Sequence, residues 1–499
     1  MNYNKKVKIL LIQAPWYGFQ NIISGRLYLG LAYLAAVLDK KGHTVKIFNG
    51  ETFFKNINNK GEKIVIDEET YLKNYSIGHE VYGEIMNSVK EFGPDIVGIS
   101  FMTANSTSGY YLAKMLKNYK ADLPIIAGGT HPTLIPEEPL KKAPFDFVIR
   151  GEGEETIADL VSVIKNKKDI SKVSGISYAK EGKIIHNPDR PFIQNLNKLP
   201  FPAFHLMKDA QKNIYACAGI TTARGCPFQC NYCASNLMWT RNVRFRTPAN
   251  IVEEIRERYN RLGIRNYSFN DDTFTLRSAF VEEICDKILA LPFKINWHCD
   301  TRGDTINLKI LKLMKKAGCN HIYLGLESGS PKIQKMIKKN IDNTKIKTAV
   351  KLARKAGIET TVYFMAGFPE ETEDDLMESI KAMKDIAPDH AIWSILTPYP
   401  GTETWSTAIN RGLVSTDTNW ARFFHHSNQN IFKGMPKESW EKMLRLIETE
   451  QKKINGRMTL IKFKKNIRMK INLAKMAIKN PKKILKQFKK IPAVIFKKR

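Results

Sequence analysis

Short apolar runs alternate with amphipathic stretches along two lengths of this chain, in the rhythm of strands and helices taken in turn. In the first length, residues 7–12 read as a buried strand, and Leu27, Leu31, Leu34 and Leu38 then share one helical face that Gly42 closes. Further strand-like runs lie at 45–48, 96–101, 125–127 and 147–149, with helical patterns between them. Strands alternating with helices predict an α/β fold, here a Rossmann-like doubly wound parallel sheet over residues 1–166 with its ligand crevice at the strands' carboxyl ends. Residues 167–207 change character: runs at 176–179 and 183–186 flank Lys180-Glu181-Gly182 as in a hairpin, and Pro188, Pro191, Pro200 and Pro202 come next, so this segment reads as a linker. A second alternating series fills 208–435, with strands at 218–222, 266–269, 295–298, 321–326, 359–365 and 391–396 and helices at 248–262, 277–290, 308–317, 344–356 and 372–386. Six such units are too few for an eight-stranded barrel and predict an open, partial (β/α)6 barrel of the TIM type.

In such folds the chemistry collects on the loops after strands. The first loop of the second series carries Cys226, Cys230 and Cys233, a CxxxCxxC run. Three thiolates on one loop can hold three irons of a cubane cluster and leave the fourth open to a ligand. The same spacing can serve a zinc site or a redox dithiol, but structural zinc wants four ligands and no second Cys-x-x-Cys or His-x-x-x-His pair lies downstream. Later loops bring Asn270-Asp271-Asp272, Arg302, Glu327-Ser328 and Ala366-Gly367 to the same rim; the lesser alternatives are Asp271 as a helix cap and Glu327 as an ion-paired strand end. In the first series the corresponding loops hold Trp16, Thr103, Gly128-Gly129 with His131, and Glu152-Gly153, where glycine lets backbone approach a ligand or simply turns the chain. Cys217, Cys285, Cys299 and Cys319 sit in or beside apolar patterns and read as core.

Seven cysteines in 499 residues do not make a disulfide framework, and they suit a reducing, cytoplasmic setting. The start of the chain is polar and basic, its first apolar run is too short for a signal peptide, and no run is long enough to span a membrane. The net charge of +30 is concentrated at the end, since no Asp or Glu lies beyond Glu450. There, residues 436–499 read as a basic helical tail with Leu460, Phe463, Ile467 and Ile471 on one face. Its apolar face suits the inner surface of a membrane or the protein's own body, and disfavours nucleic acid as the partner.

Taken in order, these blocks resemble the radical S-adenosylmethionine superfamily, in the subclass with an N-terminal cobalamin-binding domain (the class B methyltransferase type). The resemblance runs over about residues 6–435 and rests on the cysteine motif with Tyr232, on 271–274, 325–328 and 364–369, and on 29–36, 94–100, 127–132 and 150–155. It implies a 4Fe-4S cluster on Cys226, Cys230 and Cys233 whose open iron chelates S-adenosylmethionine. It further implies that Tyr232, Asn270, Asp271, Asp272, Arg302, Glu327, Ser328, Ala366 and Gly367 bind that cosubstrate, and that Trp16, Thr103, Gly128, Gly129, His131, Glu152 and Gly153 face cobalamin. The chain has no DxHxxG run, so no histidine ligand to cobalt is assigned. The implied activity is reductive cleavage to a 5′-deoxyadenosyl radical, fed by an external donor such as flavodoxin or ferredoxin, and methylation of an unactivated carbon or phosphorus of a small molecule or lipid. Cyclisation or rearrangement, with or without cobalamin, is the alternative within the subclass; a cobalamin-binding or redox-sensing protein without catalysis is the alternative outside it.

Overall fold

The computed structural model describes residues 6–20, 27–53, 68–415 and 417–457. Its first sheet contains β1 (Lys8–Gln13), β2 (Thr44–Asn49), β3 (Ile96–Ser100), β4 (Ile125–Gly128), β5 (Phe147–Ile149), β6 (Ile176–Lys180) and β7 (Lys183–His186) in the order β2-β1-β3-β4-β5-β6-β7. The first five strands are parallel. Alternate residues of β1 enter separate cores: Ile9 and Leu11 pack with Leu31 and Leu160 on one face, Leu10 and Ile12 with Ile85 and Leu112 on the other. Both faces are thus covered by helices, which is why the strands read as unbroken apolar runs.

The hairpin assigned to a linker is instead part of this sheet. Its first strand, β6, pairs antiparallel with β5, Val148 facing Ser177. Arg150 fastens it by donating to the carbonyls of Ile176 and Asn187, both at 2.6 Å. The connecting segment therefore begins only after β7, and it is stitched to the first domain by backbone bonds from Ala203 to Ala32 in the helix Leu29–Lys40 (2.9 Å) and from Lys208 to Ile47 in β2 (3.1 Å).

The second sheet contains β8 (Gly219–Ile220), β11 (Asn266–Phe269), β12 (Asn296–Thr301), β13 (Cys319–Glu327), β14 (Glu359–Ala366) and β15 (His390–Ile395) in the order β15-β14-β13-β12-β11-β8, all parallel and not closed on itself. A small antiparallel ribbon, β9 (Ala223–Arg224) with β10 (Arg244–Phe245), comes after β8. Trp297, Ile322, Leu324, Val362, Phe364 and Trp393 point outward from these strands into the core beneath the helices. The helices begin and end where their chemistry says they should: Thr247 caps Pro248–Leu262, which stops at Gly263 (φ 68°), and a Thr372–Asp375 capping box opens Glu373–Ile386.

A helical stretch over 437–457 packs Trp440, Met443, Leu444, Ile447 and Ile454 onto the barrel core, so the first part of the tail lies against the protein's own body. The apolar stripe from Leu460 onward falls outside the described residues. Among the described residues no helix is long and apolar enough to cross a membrane.

Candidate active site

The cysteine loop leaves the end of β8 through the β9–β10 ribbon. Gly225 (φ 113°) is needed there, because a Cβ would lie 2.7 Å from the carbonyl oxygen of Asn242. Cys226, Cys230 and Cys233 are half-buried and close enough to influence one another electrostatically. The Ser235 N–H points at Cys233 Sγ (3.4 Å), the kind of donor that steadies a thiolate. Burial pushes all three free thiols up, Cys233 to about 12, while Lys339 and then Arg302 pull Cys230 the other way. Among the described residues no three Cys, His, Asp or Glu side chains converge on a single-metal position. Three thiols on one loop, each free to meet a different iron, fit a cluster better than a mononuclear site.

Cations and carboxylates frame this loop. The Arg302 guanidinium lies 3.6 Å from the centre of the Phe228 ring, within the cysteine loop, and is held by Asp304 (2.8 and 3.0 Å) and by the Lys339 carbonyl (3.0 Å). Lys339 pairs with Glu327, whose backbone is left-handed (φ 73°) at a register shift in β13. Gly325 makes room for that pair, since a Cβ there would run into both charged groups. Tyr232 lies edge-on to Phe368, tying the cysteine loop to the turn after β14.

Several expected S-adenosylmethionine contacts are placed otherwise. Asp271 is buried, and its carboxylate accepts from Thr222 N (2.7 Å), Ala223 N (2.9 Å) and Thr222 Oγ (2.6 Å); it anchors the stretch before the cysteines and turns no oxygen to the rim. Its neighbours Asn270 and Asp272 do face open space, with Asp272 accepting from Ser235 Oγ at 2.5 Å. Ser328 is also committed inward, bonded to Ser379 Oγ (3.0 Å) and to the Ser330 N–H (3.2 Å). The Gly367 N–H, after Ala366, donates to Glu371 at 2.6 Å.

At the carboxyl ends of β1, β3, β4 and β5 lies a cavity of about 500 Å³, within the size range of cofactor sites. Gly128, Gly129, Glu152 and Gly153, four of the residues that the resemblance assigns to cobalamin, line it. Gly129 (φ 105°) could carry no side chain, for a Cβ would sit 2.5 Å from the Phe101 carbonyl oxygen. A glycine-lined crevice at strand ends suits a bulky cofactor approached by backbone. Trp16, Thr103 and His131 do not line it. His131 is fully buried, with Nδ1 on Thr103 Oγ (3.2 Å), Nε2 on Tyr110 Oη (3.1 Å), and Trp420 edge-on to its ring. Trp16 is packed among Tyr71, Phe424 and His425. Among the described residues no histidine lines the cavity.

The far wall of the cavity belongs to the barrel: Thr221, Ala223, Arg224, Met238, Trp239, Asn270 and Asp272. Across this seam runs a buried ion network that sequence reasoning missed. Arg224 donates to Glu152 (2.7 Å) and to Glu154, and Arg244, its register partner in the ribbon, reaches both oxygens of Glu152 (3.0 and 2.9 Å). Burial pushes the Glu152 carboxyl up, but Arg244 and Arg224 outweigh it and hold the group below the usual range. Arginine next to the cysteine motif and paired acids in the Gly151–Glu154 loop were the available signals; their partnership was not.

Comparison with known proteins agrees with this geometry. The Radical SAM superfamily pattern matches residues 220–383 and the B12 binding domain pattern residues 28–161. An uncharacterized methyltransferase of Pyrococcus horikoshii is 34% identical over 446 residues, 88% of this chain and 91% of that protein. The anaerobic magnesium-protoporphyrin IX monomethyl ester cyclase of Rubrivivax gelatinosus is 30% identical over 329 residues, 64% of this chain but 59% of the cyclase. The radical S-adenosylmethionine methyltransferase TsrM of Kitasatospora setae shares the fold, with a TM-score of 0.64 at 16% identity, covering 81% of this chain and 76% of TsrM. With both domain patterns in register with the two sheets and a relative matched over nearly its whole length, the chain belongs to the cobalamin-dependent radical SAM methyltransferase family.

Proposed function

We propose that Cys226, Cys230 and Cys233 hold the 4Fe-4S cluster of this enzyme, that Asn270, Asp272 and Glu327 border S-adenosylmethionine, and that the glycine-lined cavity takes cobalamin. When bound, these groups supply one-electron cleavage of S-adenosylmethionine and methyl donation; the protein orients them and excludes water. The observation that carries the proposal is the shared wall. Ala223, Asn270 and Asp272, beside the cysteine loop, line the same cavity as Gly128, Gly129 and Gly153, which supports a reading in which the two proposed cofactor sites open into one space. Methyl transfer needs that continuity, because donor and acceptor must meet without solvent between them. Arg302 and Lys339 add positive charge beside the thiolates, which steadies an anionic cluster and a cosubstrate carboxylate. The acceptor is an unactivated carbon or phosphorus of a small molecule or lipid, and the electron comes from a flavodoxin or ferredoxin.

Reconstitution tests the reading. Protein loaded with iron, sulfide and cobalamin, then given reductant and S-adenosylmethionine, is expected to take up cobalamin stoichiometrically and to release 5′-deoxyadenosine and S-adenosylhomocysteine. Cys230→Ala is expected to bring both products to background. A loaded cluster that yields neither product would favour redox sensing, and product formation without cobalamin uptake would favour a cobalamin-independent radical reaction. The cyclase among the relatives keeps ring closure as the second reading; it predicts 5′-deoxyadenosine without S-adenosylhomocysteine.

A further inference from the structure

We propose that Arg224 is a positioning residue that sets the separation between the cobalamin cavity and the cluster loop. The inference rests on the proposed occupancy of those two sites. Arg224 stands two positions before Cys226, and its acceptors are Glu152, the N-cap of the helix Gly153–Asn166 that follows β5, and Glu154 in that helix's first turn, both lining the cavity. One terminal nitrogen serves Glu152 and the other serves Glu154, so the planar fork fixes both distance and rotation between the loops. Its guanidinium also lies 5.4 Å from the Tyr33 ring and 5.3 Å from the Trp239 ring, two residues of the cavity wall, one from each domain.

Three features separate this contact from an ordinary surface ion pair. The four side chains of Arg224, Arg244, Glu152 and Glu154 are at most 8% exposed, so solvent does not screen them. Two guanidiniums meet two carboxylates, and loss of one group leaves the others buried with unbalanced charge. The domains are already joined elsewhere, by a connecting segment that Ala203 and Lys208 bond to the first domain and by an apolar core that runs from β1 through Phe204 to the barrel. What the arginine adds is register at the place where a displacement of about 1 Å changes rates by orders of magnitude.

The test compares holoenzymes of the parent, Arg224→Lys and Glu154→Gln. Iron content and the paramagnetic resonance signal of the reduced cluster establish that each carries its cluster. Cobalamin affinity is measured by equilibrium dialysis, and amide hydrogen exchange is monitored over 151–154 and 223–226. The decisive quantity is S-adenosylhomocysteine formed per 5′-deoxyadenosine, since the first reports methyl donation towards the cobalamin side and the second reports cleavage at the cluster. Arg224→Lys is expected to lower this ratio about tenfold, to weaken cobalamin binding and to speed exchange in both loops. Glu154→Gln, which leaves the Glu152 half of the fork, is expected to lower the ratio less, and it carries the test if the lysine variant fails to hold its cluster. A purely structural role would reduce both products in proportion to the holoenzyme fraction; a parental ratio in a cluster-loaded variant overturns the proposal. Failure of the parent itself to bind cobalamin or to make 5′-deoxyadenosine would overturn the cofactor assignment instead.

Discussion

Glu371 shows how one buried carboxyl can shape the turn after a barrel strand. It is 1% exposed, and one oxygen accepts from the N–H groups of Gly367 (2.6 Å) and Phe368 (3.3 Å), while the other has no partner among the described residues. Burial pushes its pKa from 4.5 up to about 8 against the pull of the two N–H groups. The folded protein therefore holds a proton that the unfolded chain releases between those values. Folding stability contributed by this group is full below pH 4.5, falls as pH rises towards about 8, and is flat above. At about 1.4 kcal/mol per pH unit the upper limit of the loss is about 5 kcal/mol. Glu51, which accepts from the Trp16, Tyr17 and Gly18 N–H groups and is pushed up to about 7, slopes the same way, so a difference measurement is needed. Glu371→Gln keeps the acceptor and removes the titration. Its melting temperature, subtracted from the parent's, is expected to shift in favour of the variant steadily from pH 5 to pH 8; a difference independent of pH would show that Glu371 is ionised in the fold.

At the scale of elements, the Asp271-Asp272 turn divides its labour by the pleat, because successive residues leaving a strand face opposite ways. Asp272 faces the cavity, and Asp271 turns back to hold three donors on Thr222 and Ala223 at the root of the cysteine loop. Asp271→Ala strands those donors, at about 1–3 kcal/mol for each that stays buried. Iron bound per chain after reconstitution is expected to fall well below the parent's, with Asp271→Asn intermediate. A direct cosubstrate role would leave the iron in place and weaken only S-adenosylmethionine binding. Sequence made the strands, the helices and the cysteine loop legible because all of them rest on local periodicity or fixed spacing. It could not say which aspartate of the pair faces in, since both choices have the same pattern. Nor could it place His131 or Trp16: each is sealed by a residue of the segment near 420, and the Trp420–Glu138 bond that closes the pocket beside His131 spans 282 positions. The β6–β7 turn was visible, but its pairing with β5 was a choice of neighbour that turn chemistry does not encode.

For the molecule as a whole, a cavity walled by both domains keeps its shape only if the two do not drift. Interfaces within a chain usually permit such drift. Here the connecting segment is built into both partners. Phe204, 1% exposed, comes directly after the Ala203 N–H that bonds to Ala32 in the helix Leu29–Lys40, and its ring carries the Arg258 guanidinium of the helix Pro248–Leu262 at 4.5 Å. The same apolar core includes Ile9 and Leu11 of the first sheet, Phe204 itself, and Trp297 and Phe364 of the second. A continuous core of this kind melts as one unit, so calorimetry of the parent is expected to show a single transition. Phe204→Ala leaves a cavity costing about 3–5 kcal/mol, and because the ring belongs to both halves, that cost should fall on both. Amides of Leu29–Lys40 and of Pro248–Leu262 are then expected to lose hydrogen-exchange protection at the same lowered temperature. Loss confined to one helix, or a transition that splits in two, would mean that the segment merely tethers the domains and that the cavity wall is held by the arginine–carboxylate network alone.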